Sequence, residues 1–447
     1  MRLLTLICLC ALSLPSCTLP PSKVTSANVP LPSRFDSTQP PVPEIATSLK
    51  SLFPSSDVAL WINRALTRNP DLKASLARLQ EAGFNTRRTR AALSPNLFEN
   101  AAAGRSDFGS SASNFSATLD AQWELDVWGQ IRAGVTAASR DEAALAADYA
   151  AARQSIAAQT AQAYFGLVAA SQLVELNERS LKSFESTFSR VERRFERGLS
   201  SLGDSELART DVENTRAQLA ARQNQRDQAA RRLATLTGDY PKTDRHAPKF
   251  PSLSKSIPSG VPSTLLMKRP DVDAAYQRIR AADARVTVAH RDLYPSFSLT
   301  ASAGQRSSTL KNLADSNFSV WSFAANMSAP LFDGGLRQAE LGAAGARAEQ
   351  ALSNYHSTVL NALREVEDAL GSERYLAKQE AATQRALTAA RRAEDSVRRN
   401  YESGLLELLS LLETQRRSFN TEEALINVRA LRYQNRVALA LALGKAY

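Results

Sequence analysis

The sequence predicts a mostly α-helical protein with a minor β portion, built from two tandem copies of one unit. Three observations lead there. First, "NPDLKASLARLQEAGFNTRRTRAALSPNLFENAAAG" from Asn69 is echoed by "RPDVDAAYQRIRAADARVTVAHRDLYPSFSLTASAG" from Arg269, with Pro70/Pro270, Asp71/Asp271, Pro95/Pro295 and Gly104/Gly304 all 200 residues apart. Second, short segments in each half alternate apolar and polar residues with a period of two. Third, long stretches lack proline, and their apolar residues recur at helical spacing.

Each half opens with a helix. Asn69 suits the cap of the first and Pro70 its first turn, with Pro270 repeating the pattern. Each helix should stop before Ser94-Pro95 or Tyr294-Pro295, because proline disfavours helix in the residue before it. Two strand-like segments follow in each half. Phe297, Leu299, Ala301 and Ala303 alternate with Ser298, Thr300 and Ser302; Trp321, Phe323, Ala325 and Met327 alternate with Ser322, Ala324 and Asn326. In the first half, Phe115, Ala117, Leu119, Ala121 and Trp123 alternate with Ser116, Thr118, Asp120 and Gln122. Segments of about ten residues cross a bilayer as tilted strands. A soluble sheet with one wet face has the same alternation, but four strands make a poor core. They also expose two sheet edges, which in lipid only closure removes.

The remainder reads as helix. From about Ala133 to Arg197 there is no proline, so a helix of ~65 residues would run ~100 Å. Leu167, Ala170, Val174, Asn177, Leu181, Phe184, Phe188, Val191 and Phe195 follow the 3-4 spacing of a coiled-coil seam. Arg197-Gly198-Leu199 breaks the helix, and a return helix runs to about Leu236. The second half repeats this, with a break at Ser403-Gly404-Leu405 and a return helix carrying Leu412, Phe419, Ile426, Tyr433 and Ala440 at intervals of seven. Gly198 and Gly404 are 206 apart, and the growth from 200 places a small insertion in the strands of the second half. The Ala-rich helices and narrow apolar stripes suit side-by-side packing in a tube wall, with a solid antiparallel coiled coil as the other arrangement.

Composition is that of a folded protein, 43% hydrophobic and 22% charged, with a formal net charge of +10. Arg and Lys are spread along the chain near acidic residues, and there is no basic run with interleaved aromatics, which argues against nucleic acid. The only cysteines are Cys8, Cys10 and Cys17, so the chain beyond them forms no internal disulfide or thiolate metal site. "MRLLTLICLCALSLPSC" has the charged start and short apolar run of a secretory signal, here residues 1–16. The residues before Cys17 resemble a bacterial lipobox, with Pro15 atypical, which would make Cys17 the lipidated first residue. The other reading is an ordinary signal peptide with an incidental cysteine. Residues 17–55 then form a Pro- and Ser-rich extended arm. Repeat 1 is assigned to 56–240, a linker to 241–262 and repeat 2 to 263–447. His246, His290 and His356 are isolated, and there is no phosphate loop, G-x-S-x-G or H-E-x-x-H. No catalytic residue, metal site or cofactor is expected.

Four motifs carry a family resemblance: "AQWELDVWGQIRA" at 121–133, "MSAPLFDGGLRQAE" at 327–340, "VPSTLLMKRPDV" at 261–272 and "ESGLLELLSLLETQRR" at 402–417. They resemble the TolC-like outer-membrane efflux channels, in the lipoprotein branch serving resistance-nodulation-division pumps. The resemblance spans about Leu60 to Gly444. It implies a homotrimer whose 12 strands close a barrel in the outer membrane, continued by a periplasmic α-helical barrel. It implies a passive conduit for small molecules, an inner-membrane pump and a periplasmic adaptor as partners, and a closed periplasmic tip. By the same resemblance Glu413, Arg416 and Asp204 are gate residues, with Arg209 a weaker candidate. Glu413 stands where an aspartate is usual. The turns at 197–205 and 402–410, including Gly198, Leu199, Gly404 and Leu405, are adaptor contacts. The competing reading for Glu413 and Arg416 is a solvated i,i+3 pair. A type I protein secretion channel and a periplasmic coiled-coil scaffold are the alternative functions. Met267 and Met327 are the only methionines after Met1, which argues against a methionine relay for copper.

Overall fold

The fold is described from a computed structural model, which describes residues 19, 21–29, 31, 35–36, 56–107, 111–243, 250–251 and 268–444. Residues 1–16, Cys17, His246 and Met267 lie outside them, as does most of 17–55 and 241–262. The described elements run α1 (Ser56–Arg68), α2 (Pro70–Ala91), β1 (Asn96–Asp107), β2 (Ser111–Leu125), α3 (Gln130–Glu196), α4 (Leu202–Leu236), α5 (Pro270–Arg291), β3 (Ser296–Ser307), β4 (Ser319–Ser328), α6 (Leu336–Glu402) and α7 (Leu408–Ala442). The helices of the two repeats match in length. α2 and α5 are both 22 residues, α3 and α6 both 67, and α4 and α7 both 35. α1 was not foreseen, and it has no counterpart among the described residues of the second half.

The chain forms two compact units. One contains the described parts of Met1–Val29, Ala77–Ala147 and Asp271–Thr358; the other contains those of Pro30–Leu76, Asp148–Pro270 and Val359–Tyr447. The first holds an antiparallel four-stranded sheet in the order β1-β2-β3-β4. Its register sets the predicted apolar residues side by side: Leu119 faces Ala303, Trp123 faces Leu299, Ala301 faces Phe323 and Phe297 faces Met327. Trp321, Phe323, Met327, Leu119 and Leu97 are all exposed on this face, an apolar band that calls for lipid rather than water. The other face is polar, with Asp120 accepting hydrogen bonds from Asn100 Nδ2 at 2.6 Å and Thr118 Oγ1 at 3.0 Å.

β1 and β3 are offset by 200 residues, whereas α3 and α6 are offset by 206. Facing residues in the sheet put β2 and β4 at 206 as well: Ala103 faces Phe115, and Ala303 faces Trp321. The six extra residues therefore lie in the connection between β3 and β4, not in the strands as expected. Two 3₁₀ turns, Leu310–Ala314 and Ser316–Phe318, occupy that connection.

In the second unit the caps also recur. Asn69 Oδ1 accepts from Leu72 N at 3.0 Å, and Asn69 Nδ2 donates to Leu236 O, the last residue of α4. At the corresponding place Arg269 Nη1 donates to Ala442 O, the last residue of α7. The seam on α3 is buried from Leu167 through Val191 except for half-buried Ala170, Leu181 and Phe188, while Phe195 is exposed. The stripe is not narrow throughout. Around Tyr164, Phe165 and Val168 it widens, because Val58 and Ile62 of α1, Leu233 of α4 and Tyr433 of α7 all pack there. The segment assigned as linker contributes too, since Phe250 stacks on Tyr433 at 4.8 Å between ring centroids. The Pro- and Ser-rich arm is also docked where it is described. Phe35 is buried against Val366, Leu370 and Leu439; in the other unit, Asp283 accepts from the backbone N–H groups of Lys23 and Val24.

The basic excess is absorbed between helices. Glu373 pairs with Arg432 and Arg436, Glu380 with Arg429 and Arg432, and Glu422 with Arg179 and Arg391. No described helix is long and apolar enough to cross a membrane. Gly304 faces Thr118, and a Cβ there would lie 2.1 Å from Ala117 O. Gly304→Ala is therefore expected to destabilise the sheet by about 3 kcal/mol, read as a lower urea midpoint for the folded protein in detergent.

Candidate functional site

The predicted gate and adaptor-contact residues lie in the second unit, where each long helix turns back. The two turns are built alike. Gly198, with φ of 72°, ends α3 in a Schellman arrangement: Leu199 N donates to Arg194 O and Gly198 N to Phe195 O, both at 2.8 Å. Gly404, with φ of 76°, does the same for α6, with Leu405 N donating to Asn400 O at 2.8 Å. Only glycine takes this left-handed conformation without cost. Leu199 and Leu405 follow at the apex, 65% and 74% exposed.

The two returns begin differently. Ser201 and Asp204 form a full capping box at the start of α4. Asp204 also accepts from Ser200 Oγ at 3.0 Å. Burial works against its ionised form, but these hydrogen bonds and the nearby Arg194 charge outweigh it and hold the carboxyl below its usual range. Asp204 thus fixes the first turn locally. Glu407 precedes α7 without any side-chain cap.

Behind the turns Phe184, Val191, Val212, Tyr401, Leu411 and Leu412 form one apolar cluster. Arg190 pairs with Glu402 at 2.7 Å, and the Arg194 guanidinium sits 5.4 Å from the Tyr401 ring centroid, so the ends of α3 and α6 are held together. Gln415, 1% exposed, donates from Nε2 to Ser183 Oγ and Thr187 Oγ1.

The gate residues do not pair with one another. Glu413 is exposed and makes no ion pair or hydrogen bond among the described residues. Arg416 reaches instead to Asp211 on α4, Nε to Oδ2, at 3.6 Å. The i,i+3 pair of the competing reading is not formed among the described residues. Asp211 lies largely buried beside a cavity of about 220 Å³, lined also by Asn177, Ser180, Thr215, Arg416 and Glu423. Burial raises the Asp211 carboxyl above its ordinary range, with Arg416 the opposing influence. Arg209 pairs with Glu206 at 3.5 Å and lies over the Phe188 ring. Asp211 and Gln415 were not picked out from sequence. The available signal was a carboxylate at seam spacing, since Ala208, Asp211 and Thr215 step by three and four.

Of the histidines, His290 is buried, its ring edge-on to Tyr294, and His356 lies against Tyr355. No cluster of metal-ligating side chains occurs among the described residues.

The family model for outer membrane efflux proteins matches residues 61–239 and 261–445, one stretch for each repeat. The chain belongs to the outer membrane efflux protein family. It is 30% identical to the cation efflux system protein CusC of Escherichia coli (strain K12), across 97% of each chain. It is 32% identical to outer membrane protein OprJ of Pseudomonas aeruginosa, over 88% of this chain and 85% of OprJ. The crystal structure of the open state of the Neisseria gonorrhoeae MtrE outer membrane channel superposes with a TM-score of 0.84 at 28% identity, covering 93% of this chain and 96% of that one. The family is one of channels. This member is an outer-membrane channel subunit of a tripartite efflux system in a Gram-negative bacterium, working with pump partners.

Arg416→Ala removes the charge opposing the burial of Asp211. Its carboxyl then sits further above its unfolded value, so the ionised form costs stability at neutral pH. The variant should unfold at lower temperature than wild type at pH 7. It should regain about 2–4 °C as pH falls toward the ordinary aspartate range, measured by circular dichroism at 222 nm. Adding Asp211→Asn should abolish that response.

Proposed function

We propose that three copies of this chain form a passive conduit whose periplasmic tip is held shut at rest by Asp211–Arg416 within each chain and by Glu413 near the axis. The observation that carries this reading is the Arg416–Asp211 contact at 3.6 Å, which ties α7 to α4 beside a polar cavity and leaves Glu413 unpaired. A charge pair at the edge of such a cavity stabilises one arrangement of the helices without locking it. A periplasmic adaptor seated on the exposed Leu199 and Leu405, beside Gly198 and Gly404, favours the open arrangement by binding it better. Asp204 serves the gate by fixing the turn from which α4 starts. Three Glu413 carboxylates around the axis favour cations over anions.

The same reading gives the chain a signal at 1–16, a lipid on Cys17 and an arm over 17–55 that leads from the membrane. Repeat 1 covers 56–240, a linker 241–262 and repeat 2 263–447. The energy comes from an inner-membrane resistance-nodulation-division pump, and the channel itself performs no chemistry. Its cargo is small molecules or ions delivered by the pump. The relatives' names range from cation to solvent efflux, so selectivity is assigned to the pump rather than to this conduit.

Single-channel conductance in planar bilayers tests the gate. Wild type should conduct poorly. Arg416→Ala and Asp211→Asn should each raise the mean conductance at least threefold, and Glu413→Ala should weaken cation preference in the reversal potential. Large, equal conductance in all four proteins would remove these residues from the gate. Metabolic labelling with palmitate should mark wild type and not Cys17→Ser; label on both would place the lipid elsewhere.

A further inference from the structure

The sheet has two free edges, β1 and β4, and the internal repeat specifies how they meet. This inference rests on the trimeric channel reading and goes beyond it to residue pairs. Within one chain, β2 of the first repeat pairs with β3 of the second. A residue of β3 corresponds to one of β1 at 200 less, and a residue of β2 to one of β4 at 206 more, as the offsets above establish. Applying both offsets to the β2–β3 register turns it into a register for β4 against β1 of a neighbouring copy. Leu119↔Ala303 becomes Ala325↔Ala103, Asp120↔Ser302 becomes Asn326↔Ala102, and Thr118↔Gly304 becomes Ala324↔Gly104.

With β4 of one copy beside β1 of the next in the trimeric reading, we infer that the two strands meet in this register, with Gly104 as the crowded point of the junction. Three observations support it. A Cβ on Gly304 would sit 2.1 Å from Ala117 O and 2.6 Å from Thr118 Cα, so glycine is required where β2 and β3 cross. Gly104 is its repeat counterpart, yet a Cβ there meets nothing within 4 Å in the single chain. The crowding that makes Gly304 necessary is supplied at Gly104 by the neighbouring copy, from the carbonyl of Phe323 and Cα of Ala324. Second, the register keeps the faces continuous: Phe323, Ala325 and Met327 lie beside Ala101 and Ala103. A slip by one residue would turn every side chain to the wrong face. Third, just past the end of β4 the same offsets turn Leu125↔Phe297 into Leu331 beside Leu97, two apolar side chains that are 95% and 67% exposed in one chain.

Disulfide trapping in the assembled protein tests the register. Ala103→Cys/Ala325→Cys and Ala102→Cys/Asn326→Cys lie on opposite faces, so one of them is a non-hydrogen-bonded pair, with Cα atoms about 4.5 Å apart and suited to a disulfide. At least one should cross-link copies into a covalent trimer ten times faster than the pairs displaced by two, 103 with 323 or 327 and 102 with 324 or 328. A displaced pair that cross-links faster overturns the register while leaving the channel reading intact. A trimer by light scattering with no cross-link from any pair overturns closure through these edges. A protein that is monomeric and uncross-linked overturns the trimer reading and this inference together. Independently, Gly104→Val should lower trimer yield at least tenfold; a wild-type yield would overturn the crowding at this position.

Discussion

A sheet edge in hydrocarbon is the constraint on which the rest depends. Each unpaired N–H or C=O there has no water to bond, and the cost per group is several kcal/mol. Four strands in one chain cannot close on themselves, so β1 and β4 require another copy. The duplicated unit makes this economical, because the junction already formed inside the chain between β2 and β3 is the template for the one formed outside it. The apolar band of Leu119, Trp321, Phe323 and Met327 follows from the same constraint, since a closed sheet turns one continuous face to lipid.

In the helical unit the duplication keeps helix lengths but not side-chain contacts. The second unit packs helix on helix around an apolar cluster and threads it with arginine–glutamate pairs. Asp211 is pulled two ways, toward protonation by burial and toward ionisation by Arg416. At 3.6 Å this contact is longer than the clustered pairs around Glu373 and Glu380, at 2.9–3.1 Å, and in the proposed channel it belongs to the gate.

The sequence made the helices, turns and strands legible to within a few residues, because their signals are local. Proline at Pro70 and Pro270, glycine at Gly198 and Gly404, and the period of two in the strands each act on their own neighbourhood. What it hid depends on partners distant in the chain. α1 is the exception, missed although Val58, Trp61, Ile62 and Ala65 follow helical spacing in the sequence itself. The broad burial near Phe165 comes from Val58, Phe250 and Tyr433 converging from three separate segments. Glu413, Arg416 and Asp204 were named through a family pattern, which carried no sign that Arg416 reaches Asp211 or that Asp204 completes the capping box of α4. A side chain's choice between neighbours three residues away and two hundred away is settled by packing, which no local motif records.

The unequal starts of α4 and α7 have a further consequence. One return is stapled by Ser201 and Asp204, while the other begins at Glu407 with no such staple. Around a threefold axis these would alternate, giving six hairpins of two kinds: three stiff posts and three that yield more easily. Such a rim has three equivalent positions rather than six. A collar that grips it with six identical hands would find only every second hold the same.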